Sequence, residues 1–241
     1  MKYKRIPFNQ YFIDVSKDYK KTGKARYDIK FNHEEFTFKL FNLFPIKCSS
    51  EWEVHYEEDR NVIQVNFEET EGKTDWLINF IFKEKMYDKF NWNGKKIQLK
   101  ACKGWSKMYM AMRKNVKESI KALLKEHPDA FIEVVGWSLG SGQAQMACQD
   151  IYYNFNKKPY LYTFGTVKPW RGFKTVRDYL NSTYEECYCF RHRSDIISYL
   201  PPFIGFFSMK LTKLGKFNFF HLFNPLEWHT LYGEEYLYEG I

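Results

Sequence analysis

Residues 131–148 read FIEVVGWSLGSGQAQMAC, and this stretch decides the fold. Its first five residues favour a β-strand, and the residues after Gly140 favour a helix. The motif G-x-S-x-G, at residues 136–140, therefore lies where a strand turns sharply into a helix, which is the context of a nucleophile elbow. Glycines on both sides allow strand and helix to approach closely while Ser138 holds a strained backbone. The stretch therefore predicts that Ser138 is a nucleophile at the top of a sheet.

The same turn has two simpler explanations. A glycine-rich turn between a strand and a helix can bind a phosphate, or it can make a tight corner and nothing more. No lysine stands in the position that a Walker P-loop requires, so nucleotide binding of that kind is disfavoured. The rest of the sequence is needed to distinguish a catalytic nucleophile from a tight turn without a catalytic role.

Length and composition are typical of one α/β domain with a large core, so we predict that residues 1–241 form a single domain. Aromatic residues make up 20% of the chain, which indicates a large buried core, an exposed apolar surface near a site, or both. The basic residues 1–5 lead into no apolar signal segment, and no apolar run is long enough for a transmembrane helix. We therefore expect a cytoplasmic protein. The five cysteines follow no disulfide or zinc spacing and are expected to be core thiols.

The formal net charge of +8 favours anionic partners, such as a lipid surface or an acidic substrate. No nucleic-acid-binding motif accompanies this charge, so no nucleic-acid partner is expected. Lysines scattered over solvated faces would give the same net charge. Peripheral contact with an anionic membrane is therefore left open.

Hydrophobic patterning predicts strands that alternate with helices. Helices are predicted at 32–44, 105–126 and 174–180, and strands at 52–57, 61–68, 97–100, 131–135, 160–164 and 186–191. This alternation indicates an α/β protein with a mostly parallel central sheet and helices on both faces. Ligands of such folds bind at the carboxyl ends of the strands, where Ser138 would lie.

An activated serine needs a base, and the base needs an orienting carboxylate. In hydrolases with this elbow, the acid and then the histidine follow the serine along the chain. Asp195 comes soon after the strand predicted at 186–191, so we assign it as the acid. The simpler role for Asp195 is to cap a turn. Asp178 is the competing carboxylate, but it lies in the helix predicted at 174–180 and is typical of a surface charge.

Three histidines follow Ser138, namely His192, His221 and His229. His192 is three residues from Asp195 and is expected to point along or off the same strand end. His229 opens a predicted C-terminal helix, from which its ring could lean back over Ser138, and we prefer it as the base. His221 lies in an aromatic run that could be core or lid, and it remains the alternative.

An oxyanion hole needs two hydrogen-bond donors. One is the backbone N–H of Leu139, directly after the nucleophile. The other should come from a loop after an earlier strand, and Thr70, beyond the strand predicted at 61–68, offers an N–H and a hydroxyl. Ordinary turn chemistry explains Thr70 as well.

With these residues placed, the sequence resembles the class 3 lipase family, the fungal-type triacylglycerol lipases, from about Val62 to Tyr232. The family's elbow G-H-S-L-G-G corresponds to residues 136–141, its T-F-G motif to 163–165, and its acid motif N-D-x-V-P-x-L-P-P to 194–202. Its oxyanion segment, F-R-G-[ST] followed by D-W, corresponds to 67–70 and 75–76. The chain departs from the family pattern at Trp137, Glu68, Glu69 and Ser198. Because negative charge would oppose an oxyanion, both glutamates are expected to face away from the oxyanion loop.

The resemblance implies an α/β-hydrolase fold and a serine hydrolase that cleaves carboxylic esters of lipids or other small acyl esters. Ser138 would attack the acyl carbon and form an acyl-enzyme, His229 would accept its proton, and Asp195 would orient the imidazole. Leu139 and Thr70 would hold the oxyanion, and no metal or organic cofactor is implied. The alternative is a catalytically weak or inactive lipase-like module that binds a lipid or a protein partner.

The resemblance also implies a lid over the site. Two segments are candidates, 76–87 and the phenylalanine-rich 202–223, in which aromatic residues are interleaved with lysines as at a membrane interface. A helical hairpin packed over the core is the simpler explanation of either segment.

Overall fold

The structure is a computed structural model, and it describes residues 2–15, 31–40, 44–68, 83–217 and 229. Within these ranges the helices are α1 (Phe8–Val15), α2 (Lys103–Glu126), α3 (Leu139–Phe155) and α4 (Lys174–Asn181). The strands are β1 (Asn32–Leu40), β2 (Phe44–Glu57), β3 (Val62–Phe67), β4 (Glu84–Trp92), β5 (Lys95–Cys102), β6 (Phe131–Trp137), β7 (Tyr160–Phe164), β8 (Trp170–Arg171), β9 (Glu186–His192), β10 (Phe206–Phe207) and β11 (Leu211–Leu214). Single 3₁₀ turns lie at Glu58–Arg60 and Ile197–Tyr199.

The main sheet has the strand order β1-β2-β3-β6-β7-β9-β11. Strands β3, β6, β7, β9 and β11 run parallel, whereas β1 and β2 add an antiparallel edge. The prediction of a mostly parallel sheet is confirmed, and the chain has an α/β-hydrolase fold. Because parallel strands end at the same edge, the residues that follow β6, β7 and β9 meet there. This edge holds the candidate site.

The two faces of the sheet are covered by different helices. Along β6, Ile132 and Val134 pack into the core formed with α2 and α3, and Val135 and Trp137 pack into the core formed with α1. This alternation is the period of two that a strand imposes on its side chains. Because β6 is buried on both faces, it is the central strand from which the elbow extends.

The helix predicted at 32–44 is wrong, because residues 32–40 form β1, which pairs with β2 in antiparallel register. Phe36, Phe38 and Leu40 recur at every second position. This period indicates a strand, whereas a helix would place apolar residues three and four apart. The helices predicted at 105–126 and 174–180 are confirmed as α2 and α4.

Helix α1 was not predicted, although its sequence has a helical pattern. Phe8, Tyr11, Phe12 and Val15 recur at the three- and four-residue spacing of one helix face, and all four are buried. They cover the face of the sheet that α2 and α3 leave open.

A buried polar network also holds the N-terminal segment to the sheet. The carboxylate of Glu133, on β6, accepts hydrogen bonds from Tyr3 Oη at 2.6 Å, from Tyr11 Oη at 2.5 Å and from Gln64 Nε2 at 3.1 Å. The guanidinium of Arg60 pairs with the same carboxylate. Breaking a buried pair of this kind costs about 3–5 kcal/mol, because one charge is left without compensation. Residues 2–15 are therefore an integral part of the fold.

A second, antiparallel sheet has the order β10-β8-β5-β4. It includes parts of both lid candidates, whereas another part of the second candidate belongs to the main sheet. Residues 84–87 of the first candidate belong to β4, and residues 206–207 and 211–214 of the second belong to β10 and β11. The helical hairpin explanation is therefore wrong for these parts, and residues 76–82 and 218–223 lie outside the described residues.

The described cysteines, Cys102, Cys148, Cys187 and Cys189, are buried free thiols, as predicted. Cys187 and Cys189 lie two residues apart on β9 and both face the core formed with α2 and α3. In the part of the chain that the structure describes, no helix combines the length and the apolar composition needed to span a bilayer.

Candidate active site

Ser138 occupies the turn between β6 and α3, and its backbone is strained. Its φ of 52° and ψ of −116° lie in a region that residues with a side chain rarely adopt. The backbone N–H of Ser138 donates to the carbonyl oxygen of Phe164, at the end of β7, at 2.9 Å. The conformation predicted for the elbow is therefore present and is tied to the neighbouring strand.

The two glycines of the motif are required for steric reasons. A Cβ atom at Gly136 would clash with the carbonyl of Gly140, and a Cβ atom at Gly140 would clash with the carbonyl oxygen of Phe67 on β3. Both obstacles are backbone atoms, which cannot move aside as a flexible side chain can. The elbow therefore fits only when both positions lack a side chain.

We expect Gly140→Ala to destabilise the protein by about 3 kcal/mol or more, because the clash with Phe67 exceeds ordinary overpacking. The matched control is Gly142→Ala on the same helix, where the new Cβ would lie 3.2 Å from a side-chain methyl of Val167. That variant should change the free energy of unfolding by less than about 1 kcal/mol, because alanine also favours the helix. Urea unfolding of both variants measures the difference, and equal destabilisation would contradict the steric argument.

Ser138, His229 and Asp195 form one hydrogen-bonded row. His229 Nε2 lies 2.5 Å from Ser138 Oγ, and His229 Nδ1 lies 2.8 Å from Asp195 Oδ2. The three residues are 5%, 1% and 0% exposed, so bulk water does not weaken these contacts. An ionised carboxylate can only accept, so Nδ1 carries the proton and Nε2 is left to accept from the serine hydroxyl.

Asp195 is held in place by the turn that follows it. Its Oδ1 accepts from the backbone N–H groups of Ile197 at 3.0 Å and Ser198 at 3.3 Å, and its Oδ2 accepts from the hydroxyl of Ser198. These donors favour the ionised form of the carboxylate and fix its orientation. Ser198 was predicted only as a departure from the family pattern, although its spacing of three residues from an aspartate is typical of such a turn.

The ring of His229 lies between Trp137 and Gly165, which belong to two of the sequence motifs. Trp137 stacks on it, with ring centroids 6.1 Å apart and an interplanar angle of 25°. Gly165 has φ of 54°, and a Cβ there would lie 2.8 Å from His229 Cε1. The T-F-G motif therefore ends in glycine because the imidazole occupies the space of a side chain.

Ser141 is a positioning residue that sequence reasoning missed. Its hydroxyl donates to the carbonyl oxygen of Ser138 at 2.5 Å and accepts from the backbone N–H of Val167 at 3.1 Å. It thereby joins the elbow to the loop after β7. The only sequence signal is a hydroxyl residue in the first turn of a helix, which is too common to be informative.

The competing candidates lie elsewhere or beyond the described residues. Asp178 is half-exposed on α4 and pairs with Lys174 at 3.2 Å, so it is a surface charge. His192 is buried, and its Nδ1 accepts from the N–H of Ser194 at 3.2 Å. His221 lies outside the described residues.

Of the two predicted oxyanion donors, only Leu139 can be located. Leu139 begins α3, where the first N–H groups of a helix have no acceptor within the helix and carry partial positive charge. Thr70 and Glu69 are outside the described residues, whereas Glu68 is buried at the end of β3. Among the described residues, no group of three or more His, Cys, Asp or Glu side chains is arranged to hold a metal ion.

Comparison with known proteins adds a family and a set of related folds. The family described as Lipase (class 3) matches residues 64–204. Among solved structures, the Rhizomucor miehei lipase–propeptide complex aligns with a TM-score of 0.62 and 16% identity over 87% of this chain and 68% of that one. Lipase II from Rhizopus niveus aligns with a TM-score of 0.58 and 18% identity over 86% and 78%.

A third structure belongs to a triacylglycerol lipase whose catalytic centre is described as a serine protease triad. It aligns with a TM-score of 0.57 and 18% identity over 86% of this chain and 75% of that one. At these identities the structures show a shared fold. A search of curated protein sequences finds no significant match.

Proposed function

Because the chain belongs to the class 3 lipase family, we propose that it hydrolyses carboxylic esters of lipids, with Ser138 as nucleophile, His229 as base and Asp195 as orienting acid. The observation that carries this proposal is the row of contacts at 2.5 and 2.8 Å that joins the three side chains. A row in this order is the arrangement that activates a serine for acyl transfer.

The first half of the reaction forms the acyl-enzyme. Ser138 Oγ bonds to the ester carbonyl carbon while its proton passes to His229 Nε2, and the carbonyl oxygen takes the negative charge. The N–H of Leu139 stabilises that charge, and Thr70 is proposed as the second donor. His229 then gives its proton to the departing alkoxide, which leaves as the alcohol.

The second half releases the acid. A water molecule loses a proton to His229 Nε2 and attacks the acyl carbon, and the proton then returns to Ser138 as its bond to carbon breaks. Asp195 keeps the imidazole in the tautomer that both halves need, and it stabilises the imidazolium formed in each. All proton transfers therefore pass through one nitrogen of His229.

A lipid substrate is supported by the surface that follows Asp195. Ile196, Tyr199 and Phe203 are 39%, 38% and 56% exposed, and Ile204 is 96% exposed. Apolar side chains that closely follow the proposed acid along the chain and are open to solvent suit contact with acyl chains or a lipid surface. Contact with an anionic membrane is part of this proposal, since the net charge is +8.

A fluorophosphonate probe tests the proposal, because it labels only an activated serine. We expect stoichiometric labelling of the wild-type protein and none of Ser138→Ala, while Ser182→Ala, at the C-terminal end of α4, should still be labelled. Hydrolysis of chromogenic esters of increasing chain length should accompany labelling. A wild-type protein that is folded but unlabelled would contradict the proposal and favour the inactive binding module.

A further inference from the structure

A cavity borders helix α4 and strand β9. It has a volume of about 320 Å³, and its walls come from α4, β9, the loop after β7 and the segment around β10. Ser138, His229 and Asp195 are not among the residues that line it. A cavity of this size accommodates a small organic molecule.

The charge in this cavity has one sign. Lys168 lies in the loop after β7, Arg191 on β9 and Arg177 on α4, and none of the described lining residues is acidic. Within the described part of the chain, Lys168 and Arg177 form no ion pair with a carboxylate. Lys210 lines the same cavity. Four cations facing one cavity repel each other, so an anion bound between them would be stabilised.

The environment of Lys168 disfavours its positive charge. Its side chain is partly buried, and its pKa is lowered to about 8, first by burial and then by the positive charge of Arg191. Both effects penalise the charged ammonium. A bound anion would act in the opposite direction and raise the pKa of Lys168.

The two guanidinium groups are positioned before any ligand binds. Arg191 is 4% exposed and donates from Nε and Nη2 to the carbonyl oxygen of Thr166 at 3.3 and 2.9 Å. Arg177 lies over Phe207, with its guanidinium carbon 4.6 Å from the ring centroid. Binding would therefore cost little side-chain ordering.

The remaining lining is largely apolar. Phe206, Phe207, Met209 and Leu211 contribute to the wall beside the cations. An inorganic ion would leave this part in contact with water only, whereas an organic substituent on the anion would cover it. The cavity therefore fits an anion with a short organic group.

We propose that this cavity binds the phosphate group of an organic phosphate ester. Phosphate fits better than carboxylate, because it carries close to two negative charges at neutral pH and has three oxygens for several cationic donors. Guanidinium groups also match the geometry of phosphate oxygens. The ester is either a soluble metabolite-sized phosphate or the headgroup of a phospholipid, and the chemistry recognised is the same in both.

Calorimetric titration with glycerol 3-phosphate at pH 7 tests the proposal with a soluble ligand. We expect binding with one site per chain, and Lys168→Gln and Arg177→Gln should each raise the Kd about tenfold or more, the loss expected for one charge-assisted contact. The matched control is Lys121→Gln, which removes one exposed charge from α2 and should leave the Kd within twofold. Arg177 is exposed, so its variant is expected to fold even if Lys168→Gln does not.

The pH dependence separates a phosphate site from general attraction to a basic protein. Between pH 7 and pH 9 the ligand keeps its charge, but Lys168 loses its proton, so the Kd should rise in the wild type. In Lys168→Gln the Kd should stay flat over this range. The same titrations with Ser138→Ala should give wild-type binding, so loss of esterase activity and loss of phosphate binding are distinguishable.

Vesicle flotation identifies the source of the phosphate. Phosphatidylcholine vesicles with and without 20 mol% phosphatidic acid (roughly the anionic content that creates a surface potential) would be compared, with Lys168→Gln/Arg177→Gln as the test variant. Flotation with phosphatidic acid that the double variant loses and glycerol 3-phosphate displaces assigns a lipid headgroup. Binding of glycerol 3-phosphate without such flotation assigns a soluble ester.

Three results would overturn the proposal. The first is no binding of glycerol 3-phosphate and no flotation that depends on Lys168 and Arg177. The second is an equal loss of binding in Lys121→Gln. The third is acetate binding as tightly as glycerol 3-phosphate, which would show a general anion site.

Discussion

His229→Ala is expected to lower kcat for ester hydrolysis by about 10⁶-fold, the loss seen when one member of a cooperating serine–histidine pair is removed. Without the imidazole, no group in the described site accepts the proton of Ser138 Oγ, which His229 Nε2 meets at 2.5 Å. Substrate binding does not need the imidazole, so KM should change little. The loss should therefore appear almost wholly in kcat.

The matched control for this prediction is His221→Ala, which removes the alternative base and should keep at least half of the wild-type kcat. The double variant Ser138→Ala/His229→Ala should be no slower than Ser138→Ala, because the two side chains act as one unit. Steady-state kinetics with a chromogenic ester, after thermal unfolding shows each variant to be folded, measures all three. A His221→Ala variant that is inactive beside an active His229→Ala would reverse the assignment.

Asp195→Asn is expected to lower kcat by about 10⁴-fold. The amide that replaces the carboxylate can donate to His229 Nδ1, so the ring proton moves to Nε2, where it blocks acceptance from Ser138. Ser198 and Ile197 donate to the carboxylate in the wild type, and an amide nitrogen facing them would also disturb the turn. The geometry therefore depends on this one side chain being an acceptor at both oxygens.

The control for the acid is Asp178→Asn, since Asp178 is half-exposed and pairs with Lys174 of its own helix. Its kcat should stay within twofold of the wild type. Pre-steady-state labelling by a fluorophosphonate should slow by a similar factor to kcat in Asp195→Asn, because the first step needs the same tautomer. Equal kcat values for the two asparagine variants would contradict the assignment of Asp195.

The candidate site was accessible from the sequence because its parts lie next to strong local signals. Ser138 is marked by glycines that the backbone of the elbow requires, and Asp195 follows a clear buried strand. The order of serine, acid and histidine along the chain then restricts the base to the C-terminal segment. The structure brings Ser138, His229 and Asp195 together, and their chemical roles stay predictions until the variants are measured.

The rest of the architecture depends on signals that a single sequence expresses weakly. Strands β8 and β10 are two residues long, so they have no periodicity from which to predict them. The second sheet, which contains both strands, was therefore not predicted. Residues 32–40 contain both charged and aromatic residues and were predicted as a helix. The period of two at Phe36, Phe38 and Leu40, which indicates a strand, is short. Pairing with β2 determines that these residues form a strand, and local propensity does not reveal such long-range pairing.

The cationic cavity could not be predicted for a different reason. Lys168, Arg177 and Arg191 are separated along the chain by nine and fourteen residues, 177 − 168 and 191 − 177, and lie in a loop, a helix and a strand. Nothing in their spacing indicates that they face one space. They face one space because α4, β9 and the loop after β7 border the same cavity.

The aromatic contact between α1 and the elbow bears on how the protein can be shortened for expression or crystallisation. Phe12 packs edge-on against Trp137, with ring centroids 5.5 Å apart, and Trp137 in turn stacks on His229. A truncation that starts after Val15 would open the indole to solvent and remove the backing of the imidazole. Trimming boundaries should therefore lie upstream of Tyr3, whose hydroxyl is the first anchor of this segment on Glu133.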